Sequence, residues 1–278
     1  MCRTWRILAE TETTSINRAI TQILTILYYQ TIKKRPNILT IAGFDPSGGA
    51  GILADIKTFE QNRCVGMAVQ TANTVQSENA FLAPNWIDES IVNAQLDLLL
   101  KTYQFKFVKI GLVKNIKSLN RLIKSCVRAN PNVKIIWDPV LSASAGFDFK
   151  HDLLNIESVI KYLYLLTPNF EEITKLSGEV DQLLGAKKLS KYCKVLLKGG
   201  HNEKAIGTDI LFMRDKVITF KPKPAKFAQK HGSGCVLASA IAANLAKDYP
   251  VQKSILRSKR YVEAFLSSNN TLIGAHKP

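Results

Sequence analysis

Short apolar runs that are typical of strands alternate with segments of helical periodicity from residue 37 onward. The strand-like runs are Ile38–Gly43, Ala68–Val75, Phe107–Val113, Lys134–Val140, Tyr162–Thr167 and Lys194–Lys198. The helical segments between them are Ile52–Gln61, Glu89–Thr102, Ile116–Arg128, Glu171–Ser177 and Asp181–Tyr192. Because strands separated by helices pair in parallel through right-handed crossovers, this alternation predicts an α/β protein, a three-layer α/β/α sandwich with a mostly parallel central sheet.

The last part of the chain departs from this alternation. Asp209–Met213 and Lys216–Lys221 are separated by a short turn and are typical of an antiparallel hairpin near a sheet edge. The helical segments Val236–Ala246 and Val251–Ser267 follow the hairpin. No internal repeat or low-complexity linker interrupts the pattern, so we predict a single domain over residues 37–278.

Residues 1–36 stand apart from the alternating pattern. Ser15–Thr31 has a loose helical periodicity, and the basic stretch Lys33–Pro36 precedes the first predicted strand. Glu10 and Glu12 disfavour an organellar presequence, because such presequences are poor in acidic residues. We therefore expect an N-terminal extension that is peripheral or disordered and carries no catalytic residue.

Composition excludes several classes of protein. The formal net charge is +16, but the lysines are scattered and no long basic run accompanies them, so we predict a solvated lysine-rich surface and no nucleic-acid partner. No apolar run approaches the roughly 18 to 20 residues that span a bilayer, so we predict no membrane partner and a cytoplasmic location. The five cysteines are odd in number and lack C-x-x-C spacing, which disfavours a zinc site or a disulfide framework.

Two glycine-rich loops carry most of the functional information. The first, Gly43–Gly51, leaves a strand and enters a helix, and the second, Gly232–Cys235, precedes a helix of small residues. Glycine lets backbone N–H groups approach an anion closely, and a helix N-terminus adds free donors and the positive end of the dipole. The first loop is not a Walker A motif, because no Gly-Lys-Ser/Thr follows at the required spacing. Such loops on two sides of one site predict a small-molecule kinase.

Further polar motifs follow the carboxyl ends of the predicted strands. They are Gln76, Gly111, Asp138–Pro139, Thr167–Asn169 and Lys198–His201. In open parallel sheets, ligands bind beyond these strand ends. Their shared location therefore predicts one common site.

The stretch Ile41–Phe59 closely resembles the opening signature of the hydroxymethylpyrimidine/phosphomethylpyrimidine kinases of thiamine biosynthesis, members of the ribokinase-like superfamily. The resemblance continues to about residue 275 through Lys109–Gly111, Asp138–Val140, Thr167–Asn169 with Glu172, Lys198–His201 and His231–Cys235. It implies a ribokinase-like fold, the cofactors ATP and Mg²⁺, and a homodimer. It also implies two successive reactions, phosphorylation of 4-amino-5-hydroxymethyl-2-methylpyrimidine and then of its monophosphate.

The resemblance also implies roles for individual residues. The pyrimidine pocket is expected to be lined by Gly43, Asp55, Gln76 and Leu112. Nucleotide binding is expected from Asn169, Lys198, Gly199 and Gly200, with Glu172 facing Mg²⁺ through bound water. Gln76 suits an aminopyrimidine edge, because its amide both donates and accepts hydrogen bonds. For Gln76, Lys198 and the Asn169–Glu172 pair, the alternatives are an exposed amide, a solvated strand-end lysine and a helix cap.

Catalysis is expected from Gly232, Ser233, Gly234 and Cys235, whose loop would form an anion hole. Sugar kinases of the superfamily have an aspartate base at the position of Cys235. Because a helix N-terminus can lower a thiol pKa, our hypothesis is that Cys235 accepts or relays the proton of the substrate hydroxyl. The alternative is a structural thiol that closes the loop.

Two departures from the family pattern concern substrate choice. Ser144 stands where the family usually has a lysine, which removes a phosphate contact that could serve the second phosphorylation. Asn73–Glu78 also differs from the commoner family pattern, so that details of the pocket should differ. The alternatives to the main interpretation are a pyridoxal or pyridoxine kinase and a non-catalytic pyrimidine-binding relative.

Overall fold

The computed structural model describes residues 20–22, 35–142, 149, 153, 156–201, 205–225 and 227–276. The chain divides into two units, Met1–Pro36 and Asn37–Pro278, and the second contains every element named below. Most of the expected N-terminal extension lies outside the described residues, so its character stays a prediction. Ser144 also lies outside them.

Strands and helices alternate along the second unit. The strands are β1 (Asn37–Phe44), β2 (Val65–Gln76), β3 (Phe81–Trp86), β4 (Phe107–Ile110), β5 (Lys134–Trp137), β6 (Leu163–Leu166), β7 (Lys194–Leu197), β8 (Asp209–Met213) and β9 (Lys216–Phe220). The helices are α1 (Gly51–Gln61), α2 (Glu89–Thr102), α3 (Ile116–Ala129), α4 (Glu157–Ile160), α5 (Phe170–Ser177), α6 (Gln182–Leu189), α7 (Ser233–Ala246) and α8 (Val251–Leu266). A 3₁₀ turn over Gly199–His201 follows β7.

Within the described residues the strands form one nine-stranded sheet in the order β3-β2-β1-β4-β5-β6-β7-β8-β9. The strands from β2 to β7 in that order are parallel, and β8 and β9 form the antiparallel hairpin at one edge. The mostly parallel sheet and its terminal hairpin are thus confirmed. Strand β3, antiparallel to β2, was not predicted, because Pro84 interrupts its pattern. An edge strand tolerates proline, since one of its sides makes no ladder hydrogen bonds.

Apolar clusters on both faces of the sheet give the molecule its three layers. One cluster joins Ile38 of β1 to Phe59 of α1 and Ile241 of α7. The other joins Leu39 of β1 to Leu96 of α2 and continues into α3, α5 and α6. Neighbouring strand residues point to opposite faces, so Ile38 and Leu39 enter different clusters. The three-layer α/β/α sandwich is confirmed.

Helix α7 is apolar on nearly all sides, and every residue from Val236 to Ala246 is buried. Such a helix belongs either to a protein core or to a membrane. Here α7 packs against α1 and α8, and in the part of the chain that the structure describes no helix has the length and apolar character needed to cross a bilayer. Helix α7 is therefore a core helix, and packing fixes the position of its N-terminus.

Candidate active site

The two glycine loops, far apart in the sequence, lie in direct contact. Gly232 has a φ of 72° and caps α7, and a Cβ atom on it would overlap the carbonyl oxygen of Gly49. The backbone of Gly51 also lies near enough to the sulfur of Cys235 to lower the pKa of its thiol. A single ligand can therefore contact both loops at once.

The N-terminus of α7 offers backbone donors to this junction. Gly232 provides no side-chain cap, and Ser233, Gly234 and Cys235 are only half-buried. The first N–H groups of a helix have no partner within the helix, and the helix dipole favours negative charge there. The predicted catalytic loop thus has the geometry of an anion site.

The protonation state of Cys235 differs from the prediction. Burial raises the pKa of its thiol to about 11, and this outweighs the lowering by Lys109 and by the Gly51 amide. The expectation that the helix N-terminus lowers this pKa into a useful range is wrong for the free protein. At neutral pH Cys235 carries its proton.

Lys198 occupies the space between two carboxylates and the second loop. Its Nζ atom lies 2.7 Å from Asp138 Oδ1 and 3.7 Å from Glu172 Oε2. A Cβ atom on Gly234 would stand 3.3 Å from the same Nζ atom. Burial alone would lower the pKa of Lys198, but Asp138 and Glu172 hold it above its usual range. Lys198 is thus a permanent cation beside the anion site.

Asn169 and Glu172 start helix α5 as a reciprocal capping box. The Glu172 amide donates to Asn169 Oδ1, and the Asn169 amide donates to Glu172 Oε2, both at 2.7 Å. The pair therefore has the structural role that the helix-cap alternative foresaw. The same box also holds the buried Glu172 carboxylate beside Lys198.

The donor set fits Mg²⁺ that arrives with a nucleotide. Magnesium prefers oxygen ligands, keeps several waters, and is commonly held by one or two carboxylates together with phosphates. Asp138 and Glu172 are two such carboxylates with one ammonium between them, so the cluster can accept further positive charge. Among the described residues no group of three or more His, Cys, Asp or Glu side chains could form a complete metal cage.

Stability should depend on pH through Glu172. Burial raises the pKa of its carboxyl to about 7, Lys198 opposes the rise and Asp138 adds to it. The folded protein then holds a proton that the unfolded chain has lost, so this contribution to stability is complete below about pH 4.5 and disappears as the pH rises through 7. In the wild-type protein we expect the free energy of unfolding to fall by about 1–3 kcal/mol as the pH rises across that window. Glu172→Gln preserves the capping role and should abolish this fall.

Urea unfolding at about pH 4.5, 6 and 7.5 measures this effect. Glu171→Gln is the matched control, because Glu171 is the exposed neighbour and pairs only with Lys175 in the contacts described. Parallel pH profiles for the wild-type protein and Glu172→Gln would contradict the assignment.

The residues predicted for the pyrimidine meet at the first loop, with one exception. A Cβ atom on Gly43 would stand 3.1 Å from Leu112 Cδ2, so these two residues adjoin. Gln76 Nε2 donates to Thr74 Oγ1 at 2.8 Å, and Thr74 donates in turn to the carbonyl of Phe44 at 2.7 Å. Gly43, Leu112 and Gln76 thus lie around one end of the sheet.

Asp55 is the exception, since its side chain is fully buried. It accepts hydrogen bonds from Lys109 at 2.9 and 3.0 Å and from Thr40 and Ser239 at 2.6 Å. These protein donors occupy both oxygens, so the geometry disfavours the predicted direct contact with substrate. Burial alone would lower the pKa of Lys109, but Asp55 outweighs it and keeps the ammonium charged.

The two glycines predicted to bind the nucleotide differ from each other. A Cβ atom on Gly199 would overlap the backbone of Thr208, and the Gly199 amide donates to Asp209 Oδ1 at 2.9 Å. Gly200 is exposed and has open space around it. Gly199 is therefore required by packing, whereas the backbone of Gly200 is open to a ligand.

Sequence reasoning assigned no role to Asp45, Lys109, Asp138 or His231. Each is a buried polar residue within a motif that the sequence does show. Buried charges need partners, so a charged residue inside an apolar or glycine-rich run was the available signal.

Comparison with known proteins gives consistent matches. The family model described as phosphomethylpyrimidine kinase matches residues 45–278. A hydroxymethylpyrimidine/phosphomethylpyrimidine kinase of Saccharomyces cerevisiae is 36% identical over 83% of this chain, and one of Rhizobium meliloti is 31% identical over 84%. The chain spans about half of the yeast relative, 46% of its length, and 91% of the bacterial one. Bacillus subtilis pyridoxal kinase, solved with ADP, superposes with a TM-score of 0.73 at 25% identity, over 84% of this chain and 92% of that chain.

Proposed function

Because this chain belongs to the phosphomethylpyrimidine kinase family, we propose that it phosphorylates the hydroxymethyl group of 4-amino-5-hydroxymethyl-2-methylpyrimidine with ATP. The resulting monophosphate is its second substrate, and both reactions serve the synthesis of thiamine diphosphate. The observation that carries the proposal is the junction of the two glycine loops, where the open N-terminus of α7 lies beside Lys198.

The chain's own groups supply most of the chemistry that phosphoryl transfer needs. Charge spreads over the oxygens of the transferring group, so fixed N–H donors of Gly234 and Cys235 and the ammonium of Lys198 stabilise the transition state. Asp138 and Glu172 would hold Mg²⁺ through water. Bound there with ATP, the ion would neutralise phosphate charge. Gly43, Gln76 and Leu112 would position the flat heterocycle so that its hydroxymethyl group faces the α7 N-terminus.

Cys235 is the group that we propose handles the hydroxyl proton. With a pKa of about 11 the thiol keeps its proton in the free enzyme and does not act as a base there, but a loose transition state needs little deprotonation before the phosphoryl group moves. A proton relay therefore suffices, in which the Cys235 sulfur takes the hydroxyl proton while its own proton passes to an oxygen of the transferring phosphoryl group. The monophosphate presents an oxygen that already carries negative charge, so the second reaction needs this relay less.

Replacing Cys235 tests the relay. We expect Cys235→Ala to lower kcat with the pyrimidine alcohol by about 100-fold, within the usual range for general acid–base groups. With the monophosphate the loss should stay within about threefold. Cys235→Ser keeps a hydroxyl at the same place and separates proton transfer from packing. Near-full activity of the alanine variant with the alcohol would contradict the relay and leave Cys235 as a structural thiol.

An ATP-consumption assay tests the proposed function itself. The pyrimidine alcohol, its monophosphate and pyridoxal are compared side by side, since the similarity to a pyridoxal kinase makes that activity the second candidate. We expect the highest kcat/KM with the pyrimidine alcohol. Faster turnover of pyridoxal would favour the second candidate. Pyrimidine binding by calorimetry without ATP consumption would indicate a non-catalytic relative.

The setting of the enzyme is also part of the proposal. We infer a cytoplasmic homodimer whose partners are small molecules. Light scattering during gel filtration should give twice the chain mass of 30.9 kDa.

A further inference from the structure

His231 lies between the two glycine loops, outside every role assigned above. Its Nε2 atom is 2.9 Å from Asp45 Oδ2, and both side chains are buried. Asp45 belongs to the first loop, and His231 immediately precedes Gly232, the cap of α7. This is the contact between side chains that joins the substrate-side turn to the start of the catalytic helix.

The hydrogen bonds around Asp45 show which partner of the Asp45–His231 contact is the donor and which is the acceptor. Its carboxylate also accepts from the amide and hydroxyl of Ser47 at 2.9 Å and from the amide of Ala50 at 2.8 Å. Burial raises the pKa of Asp45, but the hydrogen bonds from His231, Ser47 and Ala50 outweigh it and keep this pKa below its usual value. An ionised carboxylate only accepts, so His231 donates from Nε2. Its buried Nδ1 atom has no hydrogen-bond partner among the described residues.

The backbone next to His231 transmits its position to the anion site. A Cβ atom on Gly49 would stand 2.6 Å from His231 Cδ2, so the imidazole fills the space against the first loop. The backbone of Gly232 packs against that of Gly49. The free N–H groups of the α7 N-terminus begin at the next residue, Ser233. On the other side, the His231 amide donates to the carbonyl of Leu272 at 2.9 Å. A displaced imidazole therefore displaces the helix N-terminus.

We propose that the Asp45–His231 pair is a positioning pair that holds the phosphate-binding N-terminus of α7 at a fixed distance from the substrate-binding turn. This inference rests on the proposed function. The proposed role requires no contact of His231 with ATP or with the alcohol. It acts through Gly232 and through the glycine turn that Asp45 organises. An error of about 1 Å in such a distance costs about 100-fold in rate, because the reacting atoms lose their alignment.

The test compares replacements of His231 that differ in the donor they offer to Asp45. His231→Leu removes the donor, and we expect kcat to fall about 10- to 100-fold while KM for ATP and for the alcohol stays within about threefold. His231→Gln can place an amide N–H near the Nε2 position and should recover most of kcat. If the leucine variant does not fold, His231→Asn replaces it, since its amide is too short to reach Asp45.

A second measurement reports the loop directly and needs no substrate. The measurement is the rate at which iodoacetamide alkylates Cys235 of this loop, followed by peptide mass mapping. Because a displaced α7 N-terminus exposes the thiol, the rate should rise about tenfold in His231→Leu and return toward the wild-type rate in His231→Gln. Lys230→Gln is the control, because Lys230 is equally buried but bonds to Asn269 and Thr271 of the C-terminal segment. The control should lower Tm while kcat and the alkylation rate stay within about threefold of wild type.

Three outcomes would overturn the positioning role. They are kcat within about twofold of wild type in a folded His231→Leu protein, a glutamine variant no better than leucine or asparagine, and equal losses in Lys230→Gln. If the wild-type protein phosphorylates none of the candidate alcohols, the proposed function fails. The alkylation rates then still decide whether His231 positions the loop.

Discussion

Lys198→Met should lower kcat/KM with ATP and the pyrimidine alcohol by at least about 10³-fold, the largest loss expected from any single replacement in this site. The ammonium of Lys198 is the cation in direct contact with Asp138 and beside Gly234 of the anion loop. Methionine preserves the length and apolar stem of the side chain but removes the charge that phosphate oxygens would meet. Steady-state kinetics at saturating magnesium measure the loss.

The same replacement should destabilise the folded protein at neutral pH. It leaves Asp138 and Glu172 buried without their cation, which typically costs about 3–5 kcal/mol. At about pH 5 the cost should shrink, because Glu172 is then protonated. Urea unfolding at the two pH values separates this effect from catalysis.

Lys194→Met is the matched control for Lys198→Met. Lys194 begins strand β7, which Lys198 directly follows, and its ammonium stands 4.0 Å from the ring centre of Tyr164. Its loss should cost about 0.5–1 kcal/mol and leave kcat/KM within about twofold. A loss of less than tenfold in kcat/KM for Lys198→Met would contradict the phosphate-binding role.

Gly232→Ala should produce the second large effect. Alanine at a φ of 72° costs about 1–2 kcal/mol by itself, and its methyl group would also collide with the carbonyl of Gly49. We expect the free energy of unfolding to fall by at least about 3 kcal/mol and kcat to fall about 100-fold, since the collision separates the two loops. Denaturant titration and initial rates measure the two effects.

Gly178→Ala isolates the contribution of the backbone angle. Gly178 ends α5 with a φ of 70°, and no atom outside its immediate neighbours lies within 4 Å of an added Cβ atom. This variant should lose about 1–2 kcal/mol and keep its full kcat. Equal losses in the two variants would mean that backbone strain, and not the contact between the loops, explains Gly232→Ala.

Periodicity predicted the sandwich because each apolar pattern reports which faces of an element are buried. Alternation of strands with helices then left parallel crossovers as the economical topology. Strand β3 was not predicted, because its local pattern does not report which of its faces is buried. Its pattern includes Pro84, and its pairing with β2 depends on a neighbour that the local sequence does not reveal.

The sequence predicted only some members of the candidate site, and it did not predict the states of their side chains. Motifs located Lys198, Glu172 and Cys235, because polar residues at strand ends and a glycine-capped helix carry local signals. The raised pKa of Cys235 and the saturated hydrogen bonds of Asp55 depend on what packs around these groups. Desolvation is a property of the assembled interior, which a local motif does not contain.

The contact between Gly49 and Gly232 also has a consequence for the order of events during synthesis. These residues come from near the two ends of the folded domain, and closing so long a segment carries an entropic cost that only later contacts repay. A ribosome-bound chain that still lacks α7 has the first glycine loop and Lys198, but not the helix N-terminus that lies against that loop. The junction of the two loops therefore forms only after α7 has been synthesised, late in translation of the domain.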